Sequence, residues 1–453
     1  MTTPVASPPK ASRFHALGQT PGLAPLFFTE LWERFSYYGM RALLTLFMVA
    51  PIANGGLGFA TEDAGRIYGN YTMAVYMLAI PGGFIADRVF GAKRAVIIGG
   101  WTIALGHYAL AVPHIPFFYL GLVLIAIGTG LFKPNISALV GALYAPGDTR
   151  RDAGFSIFYM GINIGGFIAP LITGFLAQSA WFKSLLDANG FDPAKSWHWG
   201  FAAAGIGMTI AMLTFARNCA ALANPDAHDA TKIADSERPE LRNWMAVIGG
   251  TLALLGLALA SDHPNFTWMR WLFLILPIAG ILYAARQPAE DAQRLAAIGV
   301  LFIAAMIFWA IFEQAGTTIA LFADQMTRTD IAGVAFPSAW FQSINPVFVI
   351  LFAPLFALLW IRLGARQPAP AVKFAIGLLF LSASFVLMVP AAALAASGKV
   401  SPLWLIGLFA LQTIGEMLLS PVGLSTMTKL APARMTGLVL GIWFLAAALG
   451  NKL

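Results

Sequence analysis

Seven ionisable side chains of this 453-residue sequence stand where water should be scarce. The stretch "TELWERFSYYGMRALL" carries Glu30, Glu33, Arg34 and Arg41; "IGTGLFKPNISALVG" carries Lys133, "FWAIFEQAG" carries Glu313 and "LQTIGEMLLSP" carries Glu416. Carboxylates of this kind take up and release protons, and the bases among them can hold an anionic group. At the centre of a lipid-facing helix each would cost about 2.5–3.5 kcal/mol, so the seven are expected to face one another or water. At roughly 100° per residue, Glu30, Glu33, Arg34, Tyr37, Tyr38 and Arg41 occupy one arc of about 140°. Leu31, Trp32, Phe35, Gly39 and Met40 form the reverse side. Pure cross-pairing that pins helices is the alternative, but buried ion pairs often fail to offset their own desolvation. A pathway for a proton or a polar solute is the stronger reason for so much interior charge. Lys133 could instead satisfy carbonyls freed by Pro134; beside a carboxylate it would change partners as that group gains or loses its proton.

The elements that must position these groups are membrane helices. Hydrophobic residues make up 58% of the chain and charged ones 11%, and apolar runs near 20 residues recur throughout, which indicates spanning helices rather than a barrel. Hydropathy with Pro, Gly and charge clusters as punctuation predicts spans at 24–50, 64–86, 93–111, 116–142, 152–178 and 198–218. An extra pair follows at 243–260 and 269–286, then spans at 293–317, 337–361, 371–394, 402–430 and 435–453. The domain reading is an N-terminal tail at 1–20, a six-helix bundle at 21–218, a linker at 219–242, the extra pair at 243–290 and a C-terminal bundle at 291–453. Because the second bundle counts five spans, a sixth is expected to be missing.

Loop lysines and arginines divide 18 to 5 in favour of the side that holds the N-terminus, which places that side in the cytoplasm. The net charge of +7 is therefore topological and implies no nucleic-acid partner. The one cysteine, Cys219, allows neither an internal disulfide nor a thiolate metal cluster, and no cofactor is expected. The first 20 residues lack the apolar core of a cleaved signal, so the first helix should serve as its own insertion signal. His107, His114 and His263 fall at predicted helix ends and read as interfacial, as does Arg66 by snorkelling.

"ELWERFSYYG" resembles the E-x-x-E-R-F-x-Y-Y-G signature of the proton-coupled oligopeptide transporter, or POT, family. "FSIFYMGINIGGFIAP" is similar to a second signature of that family, and "GFIADRVFGAKR" to the loop between helices 2 and 3 throughout the major facilitator superfamily. The resemblance implies an all-α major facilitator fold of two six-helix halves with inverted repeats, with an extra helix pair between them as in bacterial members. It places Glu30, Glu33 and Arg34 at positions that couple proton movement to peptide release, with Lys133 as their partner on helix 4. Arg41 and Lys133 would receive the peptide carboxylate and Glu416 its amino terminus. Glu313 would take part in protonation and in a gate pair with Arg41. Asn163 and Asn345 match residues that hydrogen-bond the peptide backbone, Tyr37, Tyr38, Tyr76, Trp309 and Trp443 match pocket aromatics, and Ser420 joins the substrate set. Ordinary helix packing is the alternative for the aromatics, and interhelical hydrogen bonding for the asparagines. Asp87 and Arg88 would form a cytoplasmic gate contact.

The implied protein is a monomeric, multi-pass carrier of the inner (plasma) membrane that imports di- and tripeptides with protons. Bases on one half and an acid on the other would recognise both ends of a zwitterion near the bilayer midplane, whatever its side chains. A carboxylate that holds a base when charged frees it when protonated, so protons and peptide favour the same state. A carrier for nitrate or a carboxylate is the rival on the same fold, but such cargo gives Glu416 nothing to bind. A membrane enzyme would need a metal set, an activated nucleophile or a nucleotide loop, none of which is present in the sequence; a receptor derived from a carrier remains the third reading.

Overall fold

A computed structural model describes residues 19–86, 89, 91–145, 148, 150–219, 222, 238–260, 262, 289–331, 333–430 and 436–452. The first half contains α1 (Leu23–Val49), α2 (Thr61–Met77), α3 (Ala79–Ile85), α4 (Ala92–Leu110), α5 (Ile115–Gly141), α6 (Arg151–Gln178), the short α7 (Ala180–Ala188) and α8 (Ser196–Asn218). Among the described residues, α9 (Arg238–Ala260) intervenes. The second half contains α10 (Ala289–Phe312), α11 (Thr318–Gln325), α12 (Ile344–Leu363), α13 (Pro370–Ala395), α14 (Leu403–Leu430) and α15 (Thr436–Lys452). The expected span at 269–286, most of the linker, His263, and the proposed gate residues Asp87 and Arg88 lie outside the described residues.

Seven helical stretches among the described residues are long and apolar enough to cross a membrane. At 27 residues α1 also has the length, and carries Glu30, Glu33, Arg34 and Arg41. Two expected spans are interrupted. The span at 64–86 breaks into α2 and α3 at Leu78, just ahead of Pro81, whose ring cannot donate to the preceding turn. Gly82 of α3 then lies against the Gly130 carbonyl, where a Cβ would collide with backbone. The span at 293–317 runs on to Gln325 but is broken by a 3₁₀ turn at Glu313–Gly316 and by Thr317 at φ −124°, ψ −94°. A small hairpin, Asp330–Ile331 with Val334–Ala335, follows it.

The first half is built around one apolar core, to which Leu43, Phe47, Phe132, Phe201 and Phe215 contribute. The second half has two, one around Phe308, Leu381 and Leu419 and one around Ala391, Leu408 and Phe409. From a proximal end at Leu23, α1 runs to a distal end at Val49, parallel to α6, whose Gly165 lies against the Leu31 carbonyl. Between described residues, the side-chain hydrogen bonds that join the halves fall in the distal part of the spans. Gln178 donates to Ser338 Oγ at 2.9 Å, Trp340 to the Leu171 carbonyl at 3.0 Å and Ser343 to the Phe167 carbonyl at 2.8 Å. The distal side of the seam is thus closed.

His107 corrects the expectation of an interfacial site. It is fully buried in α4, because the short turn into α5 and the packing of α8 cover that end of the helix. His114, the N-cap of α5, is exposed as expected.

Candidate functional site

The polar stripe of α1 faces the interior, and its residues are held in two clusters a turn or two apart. In the proximal one, Arg34 Nε lies 2.7 Å from Glu30 Oε1 and 3.1 Å from Glu33 Oε2. Both carboxylates are about 1% exposed, so water cannot neutralise them. When both acids are ionised they exceed Arg34 by one charge, and Lys133 of α5 is within electrostatic reach of both. Its ammonium sits 4.4 Å from the centre of the Tyr76 ring, where the π face attracts a cation. Among the described residues Lys133 forms no ion pair and no bond to a carbonyl, so it is not absorbed by the backbone gap that Pro134 creates.

In the distal cluster, the Arg41 guanidinium bonds the Tyr68 hydroxyl of α2 and the Glu313 carboxylate across the seam. Glu313 occupies the first position of the 3₁₀ turn that breaks α10. Next to it, Thr45 Oγ1 donates to the Gly316 carbonyl at 2.7 Å, and Gln342 to the Ala315 carbonyl. Carbonyls that the broken helix would otherwise leave without partners are satisfied from the opposite half and from the turn before α12.

Glu416 of α14 forms the third point. Asn345 of α12 donates its amide to Glu416 Oε2 at 3.1 Å and to Thr413 Oγ1 at 3.0 Å. Asn345 also lines a cavity of about 40 Å³ whose wall includes Tyr38 and Arg41 of α1, Pro170, Phe312 and Phe409. The cavity lies beside the Arg41 cluster, between α1 and residues of the second half. Glu416 is within electrostatic reach of Arg41 and Glu313, and Glu313 in turn of Lys133, so the acids of the second half lie near the bases of the first.

The remaining expected site residues also make packing or intrahelical contacts. Tyr37 is 6% exposed and packs edge-on against Tyr38 at 5.4 Å. Trp443 belongs to an apolar core beside Phe374, at 6.3 Å between ring centres. Trp309 packs against Phe308 and Phe312, each at 5.5 Å, with its indole N–H buried and, among the described residues, without a partner. Asn163 donates to the Tyr159 carbonyl of its own helix at 3.0 Å. Ser420 is half-buried one turn beyond Glu416 and on the same face of α14.

Two tyrosines were missed. Tyr68 completes the Arg41 cluster, and Tyr159, inside the quoted "FSIFYMGINIGGFIAP", is 45% exposed although Glu416, Tyr38 and Arg34 are its electrostatic neighbours.

A family model described as the POT family matches residues 93–453. The chain belongs to the POT family. Among relatives, the peptide transporter YePEPT of Yersinia enterocolitica subsp. palearctica is 41% identical over 453 residues, which cover 95% of this chain and 85% of that protein. A di-/tripeptide transporter of Lactococcus lactis subsp. cremoris is 38% identical over 449 residues, covering 95% and 87%. A crystal structure of peptide transporter POT in complex with sulfate matches with a TM-score of 0.83 at 41% identity, over 99% of this chain and 89% of that one. One of a POT family transporter in complex with 5-aminolevulinic acid matches at 0.80 and 32% identity, over 98% and 90%. With this POT relationship the major facilitator fold follows, and the three charged points lie where the two halves of that fold meet.

Proposed function

We propose that this protein is a symporter that carries di- and tripeptides with protons by alternating access. The observation that carries the reading is the placement of bases and acid: Arg41 and Lys133 stand on the first half, and Glu416 stands on the second, within reach of Arg41. A zwitterion whose carboxylate binds the former and whose ammonium binds the latter bridges the halves and ties their relative position to its own occupancy. The names of the relatives support peptide as cargo. The 5-aminolevulinic acid complex of the second solved relative fits the same chemistry, since that molecule carries an amine and a carboxylate several bonds apart.

Proton coupling follows from competition at the proximal cluster. Glu30 and Glu33, when charged, hold Arg34 and attract Lys133; a proton on either releases a base for the peptide carboxylate. Proton and peptide then stabilise the same state, and by linkage each raises the affinity for the other. The 18-to-5 bias of loop bases supports a cytoplasmic proximal end. On that orientation the closed distal seam is the outer gate, and the conformation faces inward.

Uptake of labelled dialanine into proteoliposomes under an imposed pH gradient tests this. The wild type should accumulate dialanine above its external level. Glu33→Gln should lose uphill accumulation yet still exchange dialanine down its own gradient. Undiminished uphill uptake by that variant would reject the coupling role, and no dialanine movement by the wild type would reject the peptide reading.

A further inference from the structure

At the distal end of the seam, three elements from different parts of the chain share one polar knot. Asn70 of α2 donates its amide to Asp262 Oδ2 at 2.6 Å, just past the end of α9. Lys452, the last residue of α15, bonds both Asn70 Oδ1 and Asp262 Oδ2. The lysine and aspartate side chains are 17% and 11% exposed, so the knot is largely withdrawn from solvent. An apolar layer from the same three helices lies beneath it, with Met73 and Met77 of α2, Ala258 of α9 and Ala448 of α15. The helices touch closely there: a Cβ on Gly69 would stand 2.9 Å from the Asn451 carbonyl.

We propose that Asp262 is a latch for the distal side, by which the helix inserted between the halves takes part in gating. This rests on the alternating-access reading above. Asn70 belongs to the half that carries Arg41, and Lys452 to the half that carries Glu416. A group that merely glued the inserted helix in place would need partners on one half only. Asp262 has partners on both, and those partners must separate when the distal side opens. Opening strips a partly buried carboxylate of a charge-assisted bond to Lys452 or of its amide from Asn70. The latch is separate from the Arg41–Glu313 pair, which lies in the chamber within reach of cargo. It therefore sets the resting balance between closed and open distal states without touching the peptide.

The test measures the distal opening itself. Cysteines at Asp187 and Ser397, exposed at the distal ends of the first and second halves, are spin-labelled in a Cys219→Ser background. Distance distributions are then read by pulsed EPR in lipid nanodiscs. The wild type should show a dominant short distance and a minor long one. Asp262→Ala and Lys452→Met should each raise the long-to-short ratio about ten-fold or more, the loss expected for one charge-assisted bond. The isosteric Asp262→Asn, which removes the charge with least disturbance of packing, should shift it in the same direction. The exchanged pair, Asp262→Lys with Lys452→Asp, should return the ratio toward the wild type. An unshifted ratio in the single variants, or an exchanged pair that repairs nothing, overturns the latch. A wild type with one distance under every condition would instead remove alternating access, and two distances without dialanine transport would remove the peptide reading while leaving the latch intact.

Discussion

Arg41 of α1 meets Glu313 at the point where α10 ceases to be an α-helix, and Tyr68 of α2 holds the same guanidinium from the other side. One ion pair thereby joins the two halves at the floor of the chamber. Both side chains are mostly buried, at 12% and 7% exposure, so neither charge is fully hydrated if its partner goes.

Glu313→Gln should therefore favour the open distal state. Removing one partner of a buried pair typically destabilises the arrangement that held it by about 3–5 kcal/mol. A cysteine at Ala42, which lines the cavity, reports the opening in a Cys219→Ser background. Its reaction with a membrane-impermeant maleimide from the distal side should accelerate by at least about ten-fold when Glu313→Gln is added. An unchanged labelling rate would show that the pair does not hold the gate.

The charged stripe of α1 was legible in the sequence because ionisable groups in an apolar run are costly enough to have only a few stable placements. The same argument reached Lys133, Glu313 and Glu416. Tyr68 and Tyr159 escaped it, since a tyrosine in a membrane helix packs comfortably with or without a charged neighbour. The break of α10 at Glu313 was invisible for a related reason: the run "FWAIFEQAGTTIALF" stays apolar enough to suggest one continuous span. Trp443 illustrates the opposite limit, because matching a motif position says nothing of the rotation that sets its ring against Phe374.

The proximal loop between α5 and α6 supplies a pH prediction with a definite sign. Hydrogen bonds from the Arg150 side chain and backbone pull the Asp148 carboxyl down to about 2. A depressed carboxylate contributes stability that is present above its unfolded value near 3.8 and is lost as the pH falls through about 2. The pairing is thus constant over the range in which proton-driven uptake is measured. The pH profile of dialanine uptake by Asp148→Asn should overlay that of the wild type between pH 5 and 8 (roughly the histidine and perturbed-carboxylate range). A displaced profile would make this loop a pH sensor.

His107 offers a stability test remote from the chamber. It is 0% exposed, and among the described residues neither ring nitrogen has a hydrogen-bond partner. An unpartnered buried polar group costs about 1–3 kcal/mol, and leucine has a similar volume without that cost. His107→Leu should raise the melting temperature in detergent and leave dialanine uptake unchanged. A lower melting temperature would reveal a bonding role for the imidazole.

Glu416 is the group that distinguishes a zwitterion site from an anion site, and its geometry says how. Asn345 occupies Oε2, and among the described residues no donor bonds Oε1, so one carboxylate oxygen is held in place while the other is left for a ligand. A peptide ammonium can use that oxygen with a full charge; an acetylated amine offers only a neutral N–H, and a nitrate ion offers no donor at all. Glu416→Gln should raise the KM for dialanine about 10- to 100-fold, the range expected when a hydrogen bond to a charged group is lost. N-acetyl-dialanine should compete weakly with the wild type and be nearly unaffected by the substitution. Asn345→Ala should raise the dialanine KM less, because it removes the orienting amide and keeps the charge. Equal losses for dialanine and its acetylated form would remove Glu416 from the amine end of the site. Competition by nitrate as strong as that by dialanine would remove the peptide reading with it.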